Sequence, residues 1–337
     1  MDFLFTPEQD EAAELAARIV TDRATTDRQK QVEAGGDRFD RDLWATLEDA
    51  FDWAELDLIT LARVVVEIGR GLAPVPLAAH GACITFLGRV GVPLEHPLYA
   101  AAVAEERSHL PEAPTVTADA DGSLTGTKTL VRAGMAADAL LVTATGPEGV
   151  GVYVVDADAA ERQAQRTSDG DAAALVTFAG TPATRVGDAA AAELLGQLLV
   201  VLSAAEQLGV TEGALRLTAD YAKTREQFGR PIGTFQAVSQ RLADGFIDVL
   251  GQRLTLWQAV WRLAEGLPAA TEVATAKLWA ADAGHRIAHT TVHVHGGVGI
   301  DLDGEAHRYF TTGKRFEFLF GGATEQALAI GRSFAAS

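Results

Sequence analysis

With 337 residues, 48% of them hydrophobic and 22% charged, the chain has material for a substantial core and is not disordered by composition. A formal net charge of −18 argues against a nucleic-acid backbone as partner, because phosphates would be repelled. The single cysteine, Cys83, excludes an internal disulfide and a multi-cysteine metal site, and in Gly81-Ala82-Cys83-Ile84 it reads as a small apolar residue.

The chain opens Met1-Asp2-Phe3-Leu4-Phe5-Thr6, without a basic-then-apolar leader, so a reducing cytoplasmic compartment is expected. Apolar runs such as Leu198 to Leu202 fall short of the ~20 residues that span a bilayer, and no membrane insertion is expected. Residues 1–105 read as an N-terminal helical domain. Thr6-Pro7-Glu8-Gln9 is a helix start, with a capping threonine, a proline for the first position and an acid facing the helix dipole. Leu58, Leu61, Val65 and Ile68 recur at helical spacing before Gly69-Arg70-Gly71. Pro74 and Pro76 then break the chain ahead of a helix from about Leu77 to Leu87.

Residues 106–190 read as a small β-domain, a barrel or sandwich. Short β-type runs lie at Thr115-Val116-Thr117, Leu124 to Val131, Ala139 to Ala144, Val150 to Val155 and Ala174 to Phe178, joined by Gly, Asp and Pro turns. Residues 191–337 return to helix and predict a C-terminal four-helix bundle. One apolar stripe is Leu194, Leu195, Leu198 and Leu202, and another is Val238, Leu242, Phe246 and Val249. Thr271 to Thr291 continues as an Ala-rich helix. The fold class is therefore α+β in the order helices, β-domain, bundle.

Three constellations could carry chemistry. Arg225-Glu226-Gln227-Phe228-Gly229-Arg230-Pro231-Ile232-Gly233, with Phe235-Gln236, breaks two long helices. Arg225 offers a fork of donors for a diphosphate, Phe228 a flat face, and Gln236 an amide for an adenine edge. An ordinary interhelical turn with a surface arginine fits the same residues. In His293-Val294-His295-Gly296-Gly297-Val298-Gly299, the glycines let backbone N–H groups approach an anion, or simply stop a helix. Histidines two apart do not share a helix face, so no metal is expected, with Asp301, Asp303 and Glu305 read as a solvated loop. Phe318-Leu319-Phe320-Gly321-Gly322-Ala323-Thr324-Glu325 places paired glycines before a last helix. Lys128 and Glu206 read as surface or interhelical contacts rather than catalysts.

Arg225 to Ile232, with Phe235-Gln236 and Leu242-Ala243-Asp244 downstream, resembles the acyl-CoA dehydrogenase signature. His295 to Gly299 is similar to that family's second glycine motif, and Leu124-Thr125-Gly126-Thr127-Lys128 to its β-domain strand. The resemblance covers essentially the whole chain. It implies the acyl-CoA dehydrogenase-like fold and FAD-dependent α,β-desaturation of an acyl-CoA thioester, with a glutamate taking the α-proton. It also implies an FAD at a subunit interface, its ADP half held by a neighbour's Arg225, Gln227, Phe228, Gln236, Gly296 and Gly297, with His293 at the family's glutamine position.

The departures are selective. The two positions where family members carry the base are Gly321 and Leu199, and neither abstracts a proton, so no catalytic residue is assigned. Ala102 to His109 replaces the family's flavin-lining segment, and Leu130 replaces an aromatic that packs on the flavin. Asp49-Ala50-Phe51-Asp52-Trp53-Ala54 lacks the family's glycine pair. Parts that serve a neighbour's FAD are present and parts that hold the chain's own flavin are not. The resemblance thus implies an accessory subunit of an α2β2 heterotetramer acting on a bulky steroid- or lipid-derived CoA thioester. The alternatives are a self-sufficient homo-oligomeric dehydrogenase or flavin oxidase with a relocated base (Glu206, Glu317 or Glu325), and a non-enzymatic assembly subunit.

Overall fold

The computed structural model of the chain describes residues 4–336; residues 1–3 of the opening segment read above lie outside it. Five helices come first: α1 (Pro7–Arg23), α2 (Thr26–Ala34), α3 (Arg41–Ala50), α4 (Leu58–Arg70) and α5 (Leu77–Arg89). The expected start of α1 is a capping box, in which Gln9 N donates to Thr6 Oγ1 at 3.3 Å and Thr6 N to Gln9 Oε1 at 3.1 Å. Asp57 caps α4 by accepting from Ile59 N and Thr60 N, and Leu58, Leu61, Val65 and Ile68 all point inward. α5 is buried almost throughout, Cys83 included, and burial pushes that thiol far up, which leaves it an inert core residue.

The middle of the chain forms β1 (Tyr99–Ala102), β2 (Thr117–Ala118), β3 (Leu124–Arg132), β4 (Ala139–Gly146), β5 (Gly149–Asp156), β6 (Glu161–Gln165), β7 (Ala173–Thr181) and β8 (Thr184–Gly187). The expected barrel or sandwich is realised as one mixed sheet in the order β6-β7-β3-β2-β4-β5-β8, with β1 pairing parallel to β4. The sheet begins at Tyr99, ahead of the boundary expected near residue 105. β4 is buried on both faces. Leu140, Val142 and Ala144 join the sheet's own apolar cluster, whereas Ala139 and Leu141 join the helical core. Helices, not a second sheet, therefore cover the outer face.

α6 (Ala189–Thr224), the hairpin β9 (Glu226–Gln227) and β10 (Arg230–Pro231), α7 (Gln236–Ala264), α8 (Ala270–His295), α9 (Ala306–Phe318) and α10 (Ala323–Ala336) complete the chain. α6 is the central column and packs on α4, α5, α7, α8 and α9. It crosses α4 backbone to backbone. A Cβ on Gly209 would lie 1.9 Å from Val66 O, and one on Gly69 would lie 2.0 Å from Glu206 O, so only glycine fits either position.

By length and composition α6 is apolar enough to cross a membrane, but over half of its most apolar window (56%) is buried inside this fold, as in a core helix. One sequence expectation needs correction here. The stripe Val238, Leu242, Phe246 and Val249 is not one core face, because Phe246 is 58% exposed. Asp248, paired with Arg286, and Gln252, bonded to Thr211, take the buried side of α7 and turn Phe246 outward.

Candidate functional site

Two sites emerge, one facing outward and one closed. The outward site lies where α6 and α8 end and α7 begins. Arg225 caps the C-terminus of α6, and the chain turns through the hairpin, with Arg230 opposite Gln227. Phe228 and Gly229 form the two-residue turn at φ +53° and +77°, the pair of left-handed residues that such hairpins require. A phenylalanine in that region is strained. It is also 93% exposed, with the Phe235 ring edge-on at 6.1 Å. Arg230 lies over the Phe235 ring at 4.3 Å, and Ile232 N donates to Arg225 O at 2.8 Å, which fixes the hairpin on its stem.

α8 ends at Gly296, where φ is +64°, and Gly296-Gly297 opens a 3-10 turn. Added Cβ atoms at Gly229, Gly296 and Gly297 would meet nothing within 4 Å, so all three backbones face open space. The two motifs are joined by a contact that the sequence reading missed. His295 stacks on Tyr221, in the last turn of α6, at 4.3 Å and 21°. Its Nδ1 donates to Thr291 O at 2.7 Å, which fixes the tautomer, and burial holds the ring below the usual histidine range. The i, i+4 spacing of Tyr221 and Arg225 was the available signal. Arg225, Gln227, Phe228, Gln236, His293, Gly296 and Gly297 are thus exposed together at one end of the bundle. Arg225 is exposed and forms no ion pair among the described residues, while Gln227 Nε2 donates to Glu226 O at 2.8 Å.

The closed site holds the two expected base positions. Leu199 on α6 and Phe320, next to Gly321, line one cavity of about 20 Å³ together with Val103, His109, Leu130 and Arg132. That volume admits roughly one water. No carboxylate among the described residues lines it. A register shift in β3 between Lys128 and Val131 turns Leu130 to φ +52°, with Leu130 N held by Gln165 Oε1 at 2.7 Å. Lys277, on α8, donates to the terminal carbonyls of α9, Phe316 O at 2.8 Å and Glu317 O at 3.2 Å, which fixes the backbone just before Phe320. A mostly apolar cleft of about 600 Å³ between the sheet, α6, α8 and α10 shares Val103 and Phe320 with this cavity.

The acids considered as relocated bases are all engaged. Glu206 receives Arg132 Nη2 at 2.8 Å, Glu317 contacts His285 Nδ1 at 3.0 Å as well as Lys314, and Glu325 Oε2 accepts from Gly322 N at 2.7 Å. Glu206 is not a surface or interhelical contact, since its partner comes from the sheet. It belongs to a buried cluster of three guanidiniums and three carboxylates. Arg132 Nε lies 2.8 Å from Asp171 Oδ2, Arg315 pairs with Asp171 and, at 3.1 Å, with Asp169, and Arg38 Nη1 lies 3.7 Å from Asp169. Burial pushes the Asp171 carboxyl up, but Arg315 and Arg132 together hold it at about 2.

Lys128 is not on the surface either. It is fully buried and donates to Glu105 at 2.7 Å, Thr143 Oγ1 at 3.1 Å and Val103 O at 3.2 Å. Glu105 also accepts from Thr115 N and Val116 N, so this pair clamps the segment that starts at Ala102 against the sheet.

The family model for the acyl-CoA dehydrogenase C-terminal domain matches residues 201–334. The chain is 41% identical to the acyl-CoA dehydrogenase FadE27 of Mycobacterium tuberculosis over 99% of each sequence. Among solved structures, it matches a chain of the ChsE4–ChsE5 complex from Mycobacterium tuberculosis with a TM-score of 0.94 at 40% identity, over 100% of both chains. It also matches a chain of the Tcur3481–Tcur3483 steroid ACAD with a TM-score of 0.91 at 36% identity, over 98% of this chain and 99% of that one.

Proposed function

This chain belongs to the acyl-CoA dehydrogenase family, and from that premise we propose that it completes the FAD site of a sister subunit in a heteromeric dehydrogenase. One observation carries the reading. Where the family's base and flavin would meet, this chain has a 20 Å³ cavity with no carboxylate. The larger cleft of about 600 Å³ that shares Val103 and Phe320 with it brings Glu112 and Glu193 to its wall, but neither stands at Leu199 or Gly321. At the same time the residues that suit a dinucleotide's ADP half stand exposed, facing away from the chain's own interior.

The exposed group fits that ligand chemically. Arg225 has no ion-paired carboxylate among the described residues and presents a fork for two phosphate oxygens. Phe228 presents its ring to stack a flat heterocycle, and Gln236 offers both a donor and an acceptor to its edge. Gly296 and Gly297 let backbone N–H groups reach the diphosphate. His293, exposed beside them on the last turn of α8, adds a further polar contact. When bound, FAD supplies the acceptor for the substrate's β-hydride. The α-proton goes to a carboxylate of the sister chain, because Leu199 and Gly321 cannot take it here.

The ChsE4–ChsE5 and Tcur3481–Tcur3483 assemblies each pair two different chains, which supports an α2β2 arrangement, and the latter is a steroid ACAD, which supports a bulky steroid-derived CoA thioester as substrate. The test is to purify the chain alone and with its sister, then measure flavin absorbance and dehydrogenation with a dye acceptor. The lone chain should be colourless and inactive, and the pair yellow and active. Stoichiometric flavin and full turnover from the lone chain would overturn the assignment.

A further inference from the structure

Each half of the outward site is rigid on its own helix. The hairpin is tied to the end of α6, since Ile232 N donates to Arg225 O at 2.8 Å and a Cβ on Gly233 would lie 3.0 Å from Ala222 O. The glycine turn is tied to the end of α8, since a Cβ on Gly299 would lie 2.8 Å from Val292 O and 3.1 Å from His295 Cβ. What remains to be set is the distance between the two helix ends. Two contacts set it, about one turn apart. Thr218 and Thr291, both buried, meet through their hydroxyls at 3.1 Å. Tyr221 and His295 stack at 4.3 Å, and His295 Nδ1 donates to Thr291 O at 2.7 Å, which links the second contact to the first. Past the stack, no hydrogen bond, ion pair or ring contact among the described residues joins 222–236 to 292–300.

The stack is therefore the last rung before the site. Thr218, Tyr221 and Arg225 follow helical spacing along one face of α6, and Thr291 and His295 do the same on α8. The next step is Arg225 on one side and Gly296-Gly297 on the other. Both helices end here, and their free carbonyls carry partial negative charge that opposes an anion. A diphosphate is held only where the Arg225 fork and the N–H groups of the glycine turn reach it together, so an error in the gap loses one of them. We propose that Tyr221 and His295 are positioning residues, whose stack sets the gap between Arg225 and Gly296-Gly297 to the span of a dinucleotide's diphosphate. This role rests on the functional reading above and extends it to two residues that stand behind the site. The Tyr221 hydroxyl makes no hydrogen bond among the described residues, so the ring face and not the hydroxyl carries the role.

The experiment measures FAD retention by equilibrium dialysis of the complex with the sister chain, and amide hydrogen exchange over residues 296–299 in the lone chain. Tyr221→Ala and His295→Ala should each weaken FAD retention roughly 2- to 10-fold, the worth of one aromatic pair. The double variant should lose no more than the larger single loss, because both changes remove the same contact. Tyr221→Phe keeps the ring and should retain FAD as the unmodified complex does. Exchange over 296–299 should speed up in both alanine variants and return to normal in Tyr221→Phe. A lower melting temperature with unchanged FAD retention would mark the stack as a bundle contact only and overturn the proposal, as would fully additive losses in the double variant. Should Tyr221→Ala fail to fold, which circular dichroism shows, His295→Ala at the very end of α8 still decides the matter. Failure of the functional reading looks different: Arg225→Ala would then leave FAD retention unchanged. Exchange over 296–299, which needs no flavin, would still judge the stack.

Discussion

Arg132→Met probes the buried charge cluster that ties the three parts of the molecule together. Arg38 comes from the N-terminal helices, Arg132, Asp169 and Asp171 from the sheet region, and Glu206 and Arg315 from the bundle. The native cluster sums to zero charge. Removing Arg132 leaves Asp171 with Arg315, but Glu206, only 4% exposed, loses the one cationic partner it has among the described residues. Breaking a buried pair from one side costs about 3–5 kcal/mol, because the remaining charge is neither hydrated nor paired. Methionine fills most of the arginine stem's space, so little of that loss is packing. Urea denaturation at pH 7, followed by far-ultraviolet circular dichroism, measures it. The double variant Arg132→Met with Glu206→Gln removes one charge of each sign and should recover more than half of the loss, since two guanidiniums then face two carboxylates. A loss below about 1 kcal/mol in the single variant, or no recovery in the double, would refute the reasoning.

An acid placed at position 321 should not give the lone chain turnover. Gly321→Glu forces a side chain onto φ +97°, with its Cβ 2.8 Å from Gln326 Nε2, and costs roughly 1–3 kcal/mol; the lone variant should melt lower and bind no flavin, and flavin bleaching by an acyl-CoA would contradict this. In the complex, Arg225→Ala removes charge-assisted bonds to a diphosphate and should weaken FAD retention by roughly 10- to 100-fold without changing the melting temperature of the lone chain, measured by equilibrium dialysis and calorimetry. Acid should loosen the cluster within a defined window. Because the Asp171 carboxyl sits at about 2 in the fold and near ~3.9 when unfolded, it contributes about 2 kcal/mol of stability that is complete above pH ~4 and lost as pH falls through 2. Denaturation midpoints from pH 6 to 2 should hold and then drop, and a decline already complete at pH 5 would rule this source out.

The α+β order, most element types and the exposed glycine turns at the end of the bundle were legible in the sequence, because each depends on local rules. Thr6-Pro7 starts a helix wherever it stands, Phe228-Gly229 makes a tight turn, and Gly296-Gly297 ends a helix. That Leu199 and Gly321 carry no acid is likewise plain from the sequence, in any fold. What only the tertiary structure decided is everything set by contacts between distant segments. Lys128 and Glu206 look like ordinary surface charges until Glu105 and Arg132 are brought to them across 23 and 74 residues. Phe246 belongs to a core-like stripe until Asp248 and Gln252 claim the inner side of α7. The cavity closed because a shift in strand pairing turned Leu130 inward, and pairing register is a property of two strands that neither sequence carries alone.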